Sequence, residues 1–439
     1  MVECRAPRPR EYILRVFRMA RQLRQLAAHI TAPAAAVESL PAPTSVEELR
    51  TPCLVCDLPT AKANIARMQA KAEALGCVLR PHVKTHKTLE LATLQTGGSK
   101  RCITVSTLAE AQFFAEGGFD DILYAVLITA DKLPQAAALT RALEAFHIIV
   151  DHPLQLDAIL GAPPPSAAKP WSVWLMVDCG YHRDGVEPTA PESIELAKRI
   201  QAASGVARLG GIYTHGGHSY SAASRAEVVS IAEQERDVTV EFAARLRAAG
   251  VTVPIVGVGS TPTCSNPPSH LDGVDEMHPG NYIFNDMTQA ATALSSCTME
   301  NVAVRVLTRV IGHYKHSNML LIDLGWTGCS DQGKDVGYGA LVSHQHGRLV
   351  ARHGLKIVNL KQEAGEVEAM AIGTATSDHA SHGANTEAEP IDWERYKIGA
   401  ILSLLPYHSC AAVKCHDVMH VLGEDGTTLH GQYTICRGW

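Results

Sequence analysis

Between about residues 52 and 282 the chain alternates short β-branched runs with longer stretches of helical pattern, and few folds accept that alternation at this length. The strand-like runs are 77–83, 102–105, 121–126, 147–151, 173–178, 209–215, 254–258 and 276–282. Helical patterns at 108–116, 131–143, 191–203 and 222–249 lie between them, and a Pro/Ala-rich loop at 161–170 precedes the fifth run. Strands that alternate with helices imply βαβ units and a parallel sheet. Eight such runs predict an α/β fold, a closed (β/α)8 TIM barrel. An open doubly wound sheet is the alternative, but no G-x-G-x-x-G follows the first strand.

The texture changes after about Asn301. Runs at 302–311, 319–323, 338–342, 355–360 and 366–371 read as strands with few helices between them. The stretch 418–435 places the turn Glu424-Asp425-Gly426 between alternating runs, a hairpin signal. These features predict a second, C-terminal β-rich domain, to which the segment just before the barrel adds a strand. The expected plan is an N-terminal extension over 1–45, a barrel over 46–295 and a β-rich domain over 296–439.

A chain of 439 residues has room for a large core and two domains. Its 46% apolar and 19% charged content is that of an ordinary globular protein. A net charge of -6 and a pI near 6.4 give no reason to expect nucleic-acid binding. No apolar run is long enough to span a membrane. The 12 cysteines lack framework spacing, which fits a reducing compartment. Cys53 and Cys56 form a C-x-x-C inside a strand-like run, so they read as core or edge residues rather than a redox or zinc pair.

The extension is different in kind. Arg5, Arg8, Arg10, Arg15, Arg18, Arg21 and Arg24 stand among apolar residues without a lysine, and acid is limited to Glu3, Glu11 and Glu38. Tyr12, Ile13, Val16, Phe17 and Ala20 fall on one helical face. A basic amphipathic helix followed by an Ala/Pro-rich stretch resembles an organelle transit peptide. That reading places the protein in a mitochondrion or plastid; a plain surface extension leaves it in the cytoplasm.

In a (β/α)8 barrel the working residues sit where strands end and loops begin. Lys84 ends the first strand, within Arg80-Pro81-His82-Val83-Lys84-Thr85-His86-Lys87. Partial desolvation lowers a lysine's pKa and makes its amine a usable nucleophile for an aldehyde cofactor. Asp178 to Arg183 ends the fifth strand, and Tyr213 to Tyr220 the sixth. Gly257 to Thr263 and His278 to Tyr282 end the seventh and eighth, and both are glycine-rich. Glycine lets backbone N–H groups approach an anion, and these two loops are the usual phosphate site of a barrel. A reactive lysine opposite a phosphate cradle describes pyridoxal phosphate.

A second constellation is Pro406-Tyr407-His408-Ser409-Cys410. Two residues one apart on a strand share a face. Imidazole and thiolate together suit Zn2+. Two ligands are too few for a closed structural site, so substrate or water completes the shell, as in catalytic zinc. The alternative is a buried His and Cys in the second domain. Cys415, His416, Asp417 and His420 also carry ligand chemistry, but they read as leading into the closing hairpin.

Thr51-Pro52, Asp57-Leu58, Asn64-Ile65, the 80–87 motif, Thr104 to Ala111, Val177 to Arg183 and Pro279-Gly280-Asn281-Tyr282 occur in order. Together they resemble the alanine-racemase-like, fold type III pyridoxal-phosphate enzymes, more narrowly the D-serine dehydratase and D-threonine aldolase branch, from about Thr51 to the C-terminus. The resemblance implies that Lys84 bonds the cofactor's aldehyde and later acts as base at the substrate's α-carbon. It implies that Tyr213, Tyr220, Thr261, Gly280 and Asn281 contact the cofactor, that Arg183 stands near its phenolic oxygen, and that zinc binds His408 and Cys410. Bacterial D-threonine aldolases carry His and Asp there, which suits Mn2+ or Mg2+, so Cys410 favours the dehydratase. The implied reaction is β-elimination from a small D-β-hydroxy amino acid, D-serine first, giving pyruvate and ammonia. The alternative is retro-aldol cleavage to glycine and an aldehyde. A non-catalytic pyridoxal-phosphate carrier is a third reading, but such proteins resemble the barrel alone. The family pattern further implies a homodimer with the site between one chain's barrel and the other's β-rich domain. Gly328 to Asp331 and Ala364 depart from the pattern, which bears on substrate preference.

Overall fold

A computed structural model describes residues 42–439 other than 167, 291–293, 295, 346–347, 353 and 371–389. The transit-peptide reading falls outside them. The first strand, β1 (Cys53–Asp57), runs into the helix Leu58–Ala74, which Asp57 caps by accepting the Thr60 N–H at 3.0 Å. The barrel follows: β2 (Val78–Leu79), β3 (Ile103–Val105), β4 (Asp121–Leu127), β5 (Ala145–Val150), β6 (Trp171–Val177), β7 (Ala207–Thr214), β8 (Val256–Val258) and β9 (Glu276–Met277). They pair in parallel in the order β2-β9-β8-β7-β6-β5-β4-β3. A bridge between His82 and Thr104, with Thr104 N–H donating to Pro81 O at 2.9 Å, joins the ends and closes the ring. All seven residues of β6 are buried, as parallel strands covered on both faces require.

The expected first and eighth strands were longer. They stop at Leu79 and Met277 because Pro81 and Pro279 have no N–H for a ladder. The chain then tightens into the turns Val83–Thr85 and Asn281–Ile283. The expected glycine-rich end of the eighth strand is therefore a compact turn, that of the seventh runs into the short helix Thr261–Ser265, and the lysine stands in a turn rather than on a strand.

The barrel interior holds a charged layer. The Arg80 guanidinium donates to both oxygens of Glu276, at 2.8 and 3.0 Å, and to Asp121 Oδ1 at 2.8 Å. It also lies 5.8 Å from the Trp174 ring centroid. Above it pack Leu123, Ile149, Trp174, Met176 and Tyr213.

The second body is built from β10 (Val304–Tyr314), β11 (Met319–Ile322), β12 (Gly339–Gln345), β13 (Arg348–Arg352), β14 (Leu355–Leu360), β15 (Gly365–Ala369), β16 (Ile401–Pro406), β17 (Val418–Leu422) and β18 (Leu429–Thr434). The main sheet runs β13-β12-β16-β10-β1-β17-β18, and β11, β15 and β14 continue from β10. The expected closing hairpin is β17 with β18. Strand β1 lies between β10 and β17, so the expected barrel limits of 46–295 begin with a strand that belongs to the other sheet. Cys53 and Cys56 are buried free thiols on this central strand, and burial pushes the Cys53 thiol up to about 12.

One expectation is corrected. His408 and Cys410 are not on a strand. Strand β16 ends at Pro406, and His408 is the cap of a short helix, Ser409–Lys414. The Tyr407 N–H still bonds Tyr338 O at 2.9 Å, and the chain then leaves the sheet as Ser409 is taken up by Asp286.

Replacing Arg80 by Met keeps much of its volume and leaves Glu276 and Asp121 buried without their cation. Urea unfolding should show a loss of about 3–5 kcal/mol, the cost of breaking a buried ion pair from one side.

Candidate active site

The site is built around the turn that carries Lys84. His82 starts it, its Nδ1 accepting the Lys84 N–H at 3.5 Å. The rest of the motif anchors the turn rather than entering the site. His86 Nε2 bonds Gln95 Oε1 at 2.8 Å, Gln95 donates to the Tyr282 hydroxyl at 2.9 Å, and the buried Lys87 ammonium pairs with Glu110. The turn packs closely on Gly280, where a Cβ would stand 3.2 Å from both the Cβ and the carbonyl oxygen of His82.

Lys84 itself is half-buried. Burial lowers its pKa and the Arg183 charge adds to that, while Cys410 acts in the opposite sense. Its neighbour Thr85 places Oγ1 3.2 Å from Cys410 Sγ. One step along the sequence thus separates the barrel's amine from the second domain's thiol.

Three buried residues fix this approach. Asp286 accepts N–H groups from Ser409 at 2.9 Å and Gln289 at 3.0 Å, and the side-chain amide of Asn281. The Ser409 hydroxyl donates to Asn281 Oδ1 at 3.0 Å. Ser409 stands between His408 and Cys410, so this set locks both to the end of β9.

Burial alone would depress the His408 imidazole, but its hydrogen bond to Cys410 and that thiol's charge raise it to about 9. Burial likewise opposes the Cys410 thiolate, yet the bond from His408 holds its pKa below the usual thiol value. His408 Nδ1 lies 2.6 Å from Gln332 Oε1. An N–H at Nδ1 donating to that oxygen leaves Nε2 as the nitrogen for Cys410 or for a metal that the two would share. Among the described residues no group of three His, Cys, Asp or Glu is placed to hold a metal. The pair therefore fits one soft cation that shares its shell with substrate or water. Elsewhere, His416 Nε2 bonds Gly328 O at 2.8 Å and Asp417 pairs with Arg437 at 3.2 Å, so both have structural partners.

The remaining expected residues fall into two groups. Thr261 Oγ1 accepts the N–H of Asn281 at 2.9 Å and of Gly280 at 3.3 Å, and the Tyr220 hydroxyl hydrogen-bonds Thr261. Burial raises the Tyr220 phenol's pKa. Lys84, Tyr220, Thr261, Gly280, Asn281, His408 and Cys410 are thereby linked through neighbouring contacts. Tyr213 lies deeper, buried in the barrel core with its ring centroid 4.5 Å from that of His278. Arg183 is exposed at the rim, paired with Asp184 at 3.1 Å, its guanidinium carbon 5.2 Å from the Tyr181 ring centroid.

Several structural supports were not read from the sequence. Gln332, Asp286 and Ser409 carry no local signal, because their partners lie far away in the chain. Glu235 did carry one. It shares the buried face of the helix Arg225–Ala248 with Val228, Ile231, Ala232, Thr239 and Phe242, where an acid is out of pattern. It accepts the N–H groups of Gly216 and Gly259 and so ties together the loops after β7 and β8. The two expected phosphate loops, after β8 and β9, have several of their N–H groups already engaged: Gly259, Ser260, Gly280 and Asn281 donate to the side chains of Glu235, Thr263 and Thr261.

Two family models match the chain: the alanine racemase N-terminal domain over residues 56–287 and a putative serine dehydratase domain over 303–422. The fold and site define an alanine-racemase-like, fold type III enzyme. The chain belongs to the D-serine dehydratase and D-threonine aldolase family of that group and is a lyase of the D-hydroxyamino acid class. It is 32% identical to D-serine dehydratase of Dictyostelium discoideum, covering 88% of this chain and 96% of that one. It is 37% identical to D-threo-3-hydroxyaspartate dehydratase of a Delftia strain, over 87% of this chain and 98% of that one. The solved structure of a Delftia D-threo-3-hydroxyaspartate dehydratase superposes with a TM-score of 0.80 at 34% identity, covering 90% of this chain and 100% of that chain. D-threonine aldolase from Filomicrobium marinum shares the fold, with a TM-score of 0.71 at 21% identity over 90% of this chain and 98% of that one.

Burial raises the Glu235 carboxyl's pKa against the opposing bonds from Thr263, Gly216 and Gly259. A raised folded pKa means that the unfolded chain gives up this proton first. Its contribution to stability is therefore complete below the unfolded value of about 4.3 and falls as pH rises through the folded pKa. Glu235→Gln retains an acceptor for both N–H groups without that titration. The stability difference, wild type minus variant, should decline between pH 4 and the folded pKa and then level, as measured by denaturant unfolding across pH.

Proposed function

We propose that the protein is a pyridoxal-phosphate- and zinc-dependent D-serine dehydratase. It converts D-serine to pyruvate and ammonia. The observation that carries this reading is the 3.2 Å contact between Thr85 and Cys410, which sets a soft metal pair beside the lysine turn within one chain. That contact lies within one chain. A homodimer remains part of the proposal as a family trait. Among the described residues no helix is long and apolar enough to cross a membrane.

When bound, pyridoxal phosphate supplies an electron sink for the α-carbon, and Zn2+ supplies a Lewis acid for the departing hydroxyl. The chain's residues fit both. Lys84 offers an amine whose lowered pKa makes it available for the cofactor's aldehyde and then for the α-proton at Nζ. Tyr220, Thr261, Gly280 and Asn281 would line the cofactor, held in one hydrogen-bonded set by Thr261, with the Asn281 amide fixed by Asp286 and Ser409. Tyr213 backs it from the barrel core, and Arg183 stands at the rim toward its phenolic oxygen. His408 and Cys410 hold the zinc, with Gln332 fixing the imidazole tautomer. Cys410 is a softer donor than the carboxylate suited to Mn2+ or Mg2+, which favours elimination over retro-aldol cleavage. The paired β-rich body, with its metal donors, weighs against a carrier without activity.

A second substrate deserves a place in the same assay. The 37% identity to D-threo-3-hydroxyaspartate dehydratase supports elimination from a β-hydroxy amino acid bearing a further carboxylate. Product analysis separates the readings. D-serine giving pyruvate, with loss of turnover in chelator and recovery with Zn2+, supports the proposal. Glycine and acetaldehyde from D-threonine, with no pyruvate from D-serine, overturns it in favour of the aldolase.

Two variants divide the roles. Lys84→Ala should lose the visible absorbance of a lysine-bound cofactor. His408→Ala should keep that absorbance and lose zinc and turnover. Gln332→Leu should leave the absorbance unchanged and weaken zinc binding by about 10–100-fold, the usual cost of losing a group that orients a metal-bound imidazole. Competition with a chromophoric chelator measures it.

A further inference from the structure

The β-rich body contains a cavity of about 220 Å³ that shares no residue with the Lys84 site. Its wall follows from the sheet register. Val342, Ser403 and Leu307 stand side by side across β12, β16 and β10, and Arg305 and Val55 form the adjacent row on the same face. Leu422 of β17 extends the apolar wall. The segment Val46–Glu48 and the turn at Gly426 and Thr427 cover it, held by the Val46 N–H donating to Thr427 O at 3.3 Å.

Arg305 is the anomaly. It is 4% exposed, and its Nε and Nη2 have no hydrogen-bond acceptor among the described residues. A guanidinium does not shed its charge, and a buried cation without an acceptor is costly. Asp57 acts on it electrostatically, but its carboxylate caps the helix Leu58–Ala74 and forms no ion pair with Arg305. The contrast with Arg80 is instructive. That arginine is as deeply buried and has carboxylates on three of its nitrogens.

We propose that this cavity is a binding site for a small aliphatic monocarboxylate, its carboxylate on Arg305 and its chain against Val55, Leu307, Val342 and Leu422. The size excludes a drug-sized ligand, which fills about 300–1,000 Å³. Arg305 is the single cation among the described lining residues, so one negative charge balances it. Glu47 at the exposed mouth disfavours a second. Ser403 adds a hydroxyl beside the apolar wall. A hydrated inorganic anion would leave that wall uncovered.

Butyrate, with butyramide as its uncharged counterpart, tests the site on the purified full-length protein by equilibrium dialysis and thermal unfolding. Butyrate should bind at one equivalent per chain and raise the melting temperature, and butyramide should do neither. Arg305→Met should abolish the binding and melt no lower than wild type, because an unpaired buried charge is replaced by an apolar chain. Ser403→Leu keeps Arg305, fills the cavity and should also abolish binding, which decides the matter even where the first variant fails to fold. Glu47→Gln should bind butyrate more tightly. Butyrate binding that persists in both Arg305→Met and Ser403→Leu lies elsewhere, the Lys84 site included, and overturns the proposal. Absence of butyrate binding to wild type, or equally tight binding of inorganic phosphate, does the same.

Discussion

The chemistry of this protein depends on a buried hydrogen-bonded lock made by Asp286, Asn281 and Ser409. The lysine and the soft donor pair lie more than 300 residues apart in the chain, on bodies with different architecture. Neither body alone determines where the other's groups point. Asp286 and Asn281 belong to the end of the last barrel strand, and Ser409 sits between the two metal donors. Three donors converge on the Asp286 carboxylate, from Ser409, Gln289 and Asn281. Burial raises this carboxyl's pKa, against the charge of His408 and these bonds. A polar group so deeply placed tolerates little misalignment, because each lost partner leaves an unsatisfied atom in a low-dielectric surrounding. The lock is therefore rigid, and Cys410 meets Thr85 as a consequence.

Glu235 does for the glycine-rich loops what Asp286 does for the metal pair. Both are buried acids that accept backbone N–H groups from segments whose side chains work in the site. In each case the acid lies behind the reacting region. The same economy appears in the 80–87 motif, where Lys84 and Thr85 reach the site while His86 and Lys87 are engaged by Gln95, Thr88 and Glu110. A dense polar motif in the sequence thus resolves into one reactive group and its mounting.

That distinction marks the limit of what the sequence discloses. The eight barrel runs were legible because parallel strands covered on both faces are nearly continuous apolar segments, and β6 is such a segment throughout. Lys84, His408 and Cys410 were legible because their residue types and spacing are chemically unusual. The strand ends were not, since a proline that removes one ladder bond leaves the apolar run looking unbroken. The helix Ser409–Lys414 was missed for a related reason: a stretch of six residues shows neither a strand nor a helical period clearly. Partnerships such as Gln332 with His408 were out of reach, because they depend on a loop path set by tertiary contacts. Glu235 was within reach through its place on an apolar helix face. Arg305 had the same kind of signal, an arginine within a β-branched strand, and the lack of acceptors for its Nε and Nη2 appears only in three dimensions.

The path of the chain ties the barrel to the β-rich body at two points rather than one. Strand β1 leaves the β-rich sheet, the barrel follows, and β10 returns to pair with β1 in antiparallel register, Cys53 opposite Leu307 and Cys56 opposite Val304. Strand β17 then flanks β1 on its other edge. The central strand of the second sheet therefore cannot gain its neighbours until the intervening barrel segment has been made. Such non-local pairing slows folding but gives a positional constraint that a flexible linker between two separate domains would lack. The barrel is an insertion between β1 and β10, so it is tethered to the β-rich sheet at two points while β1 stays in that sheet. Asp286, Asn281 and Ser409 supply the alignment that those two tethers leave open.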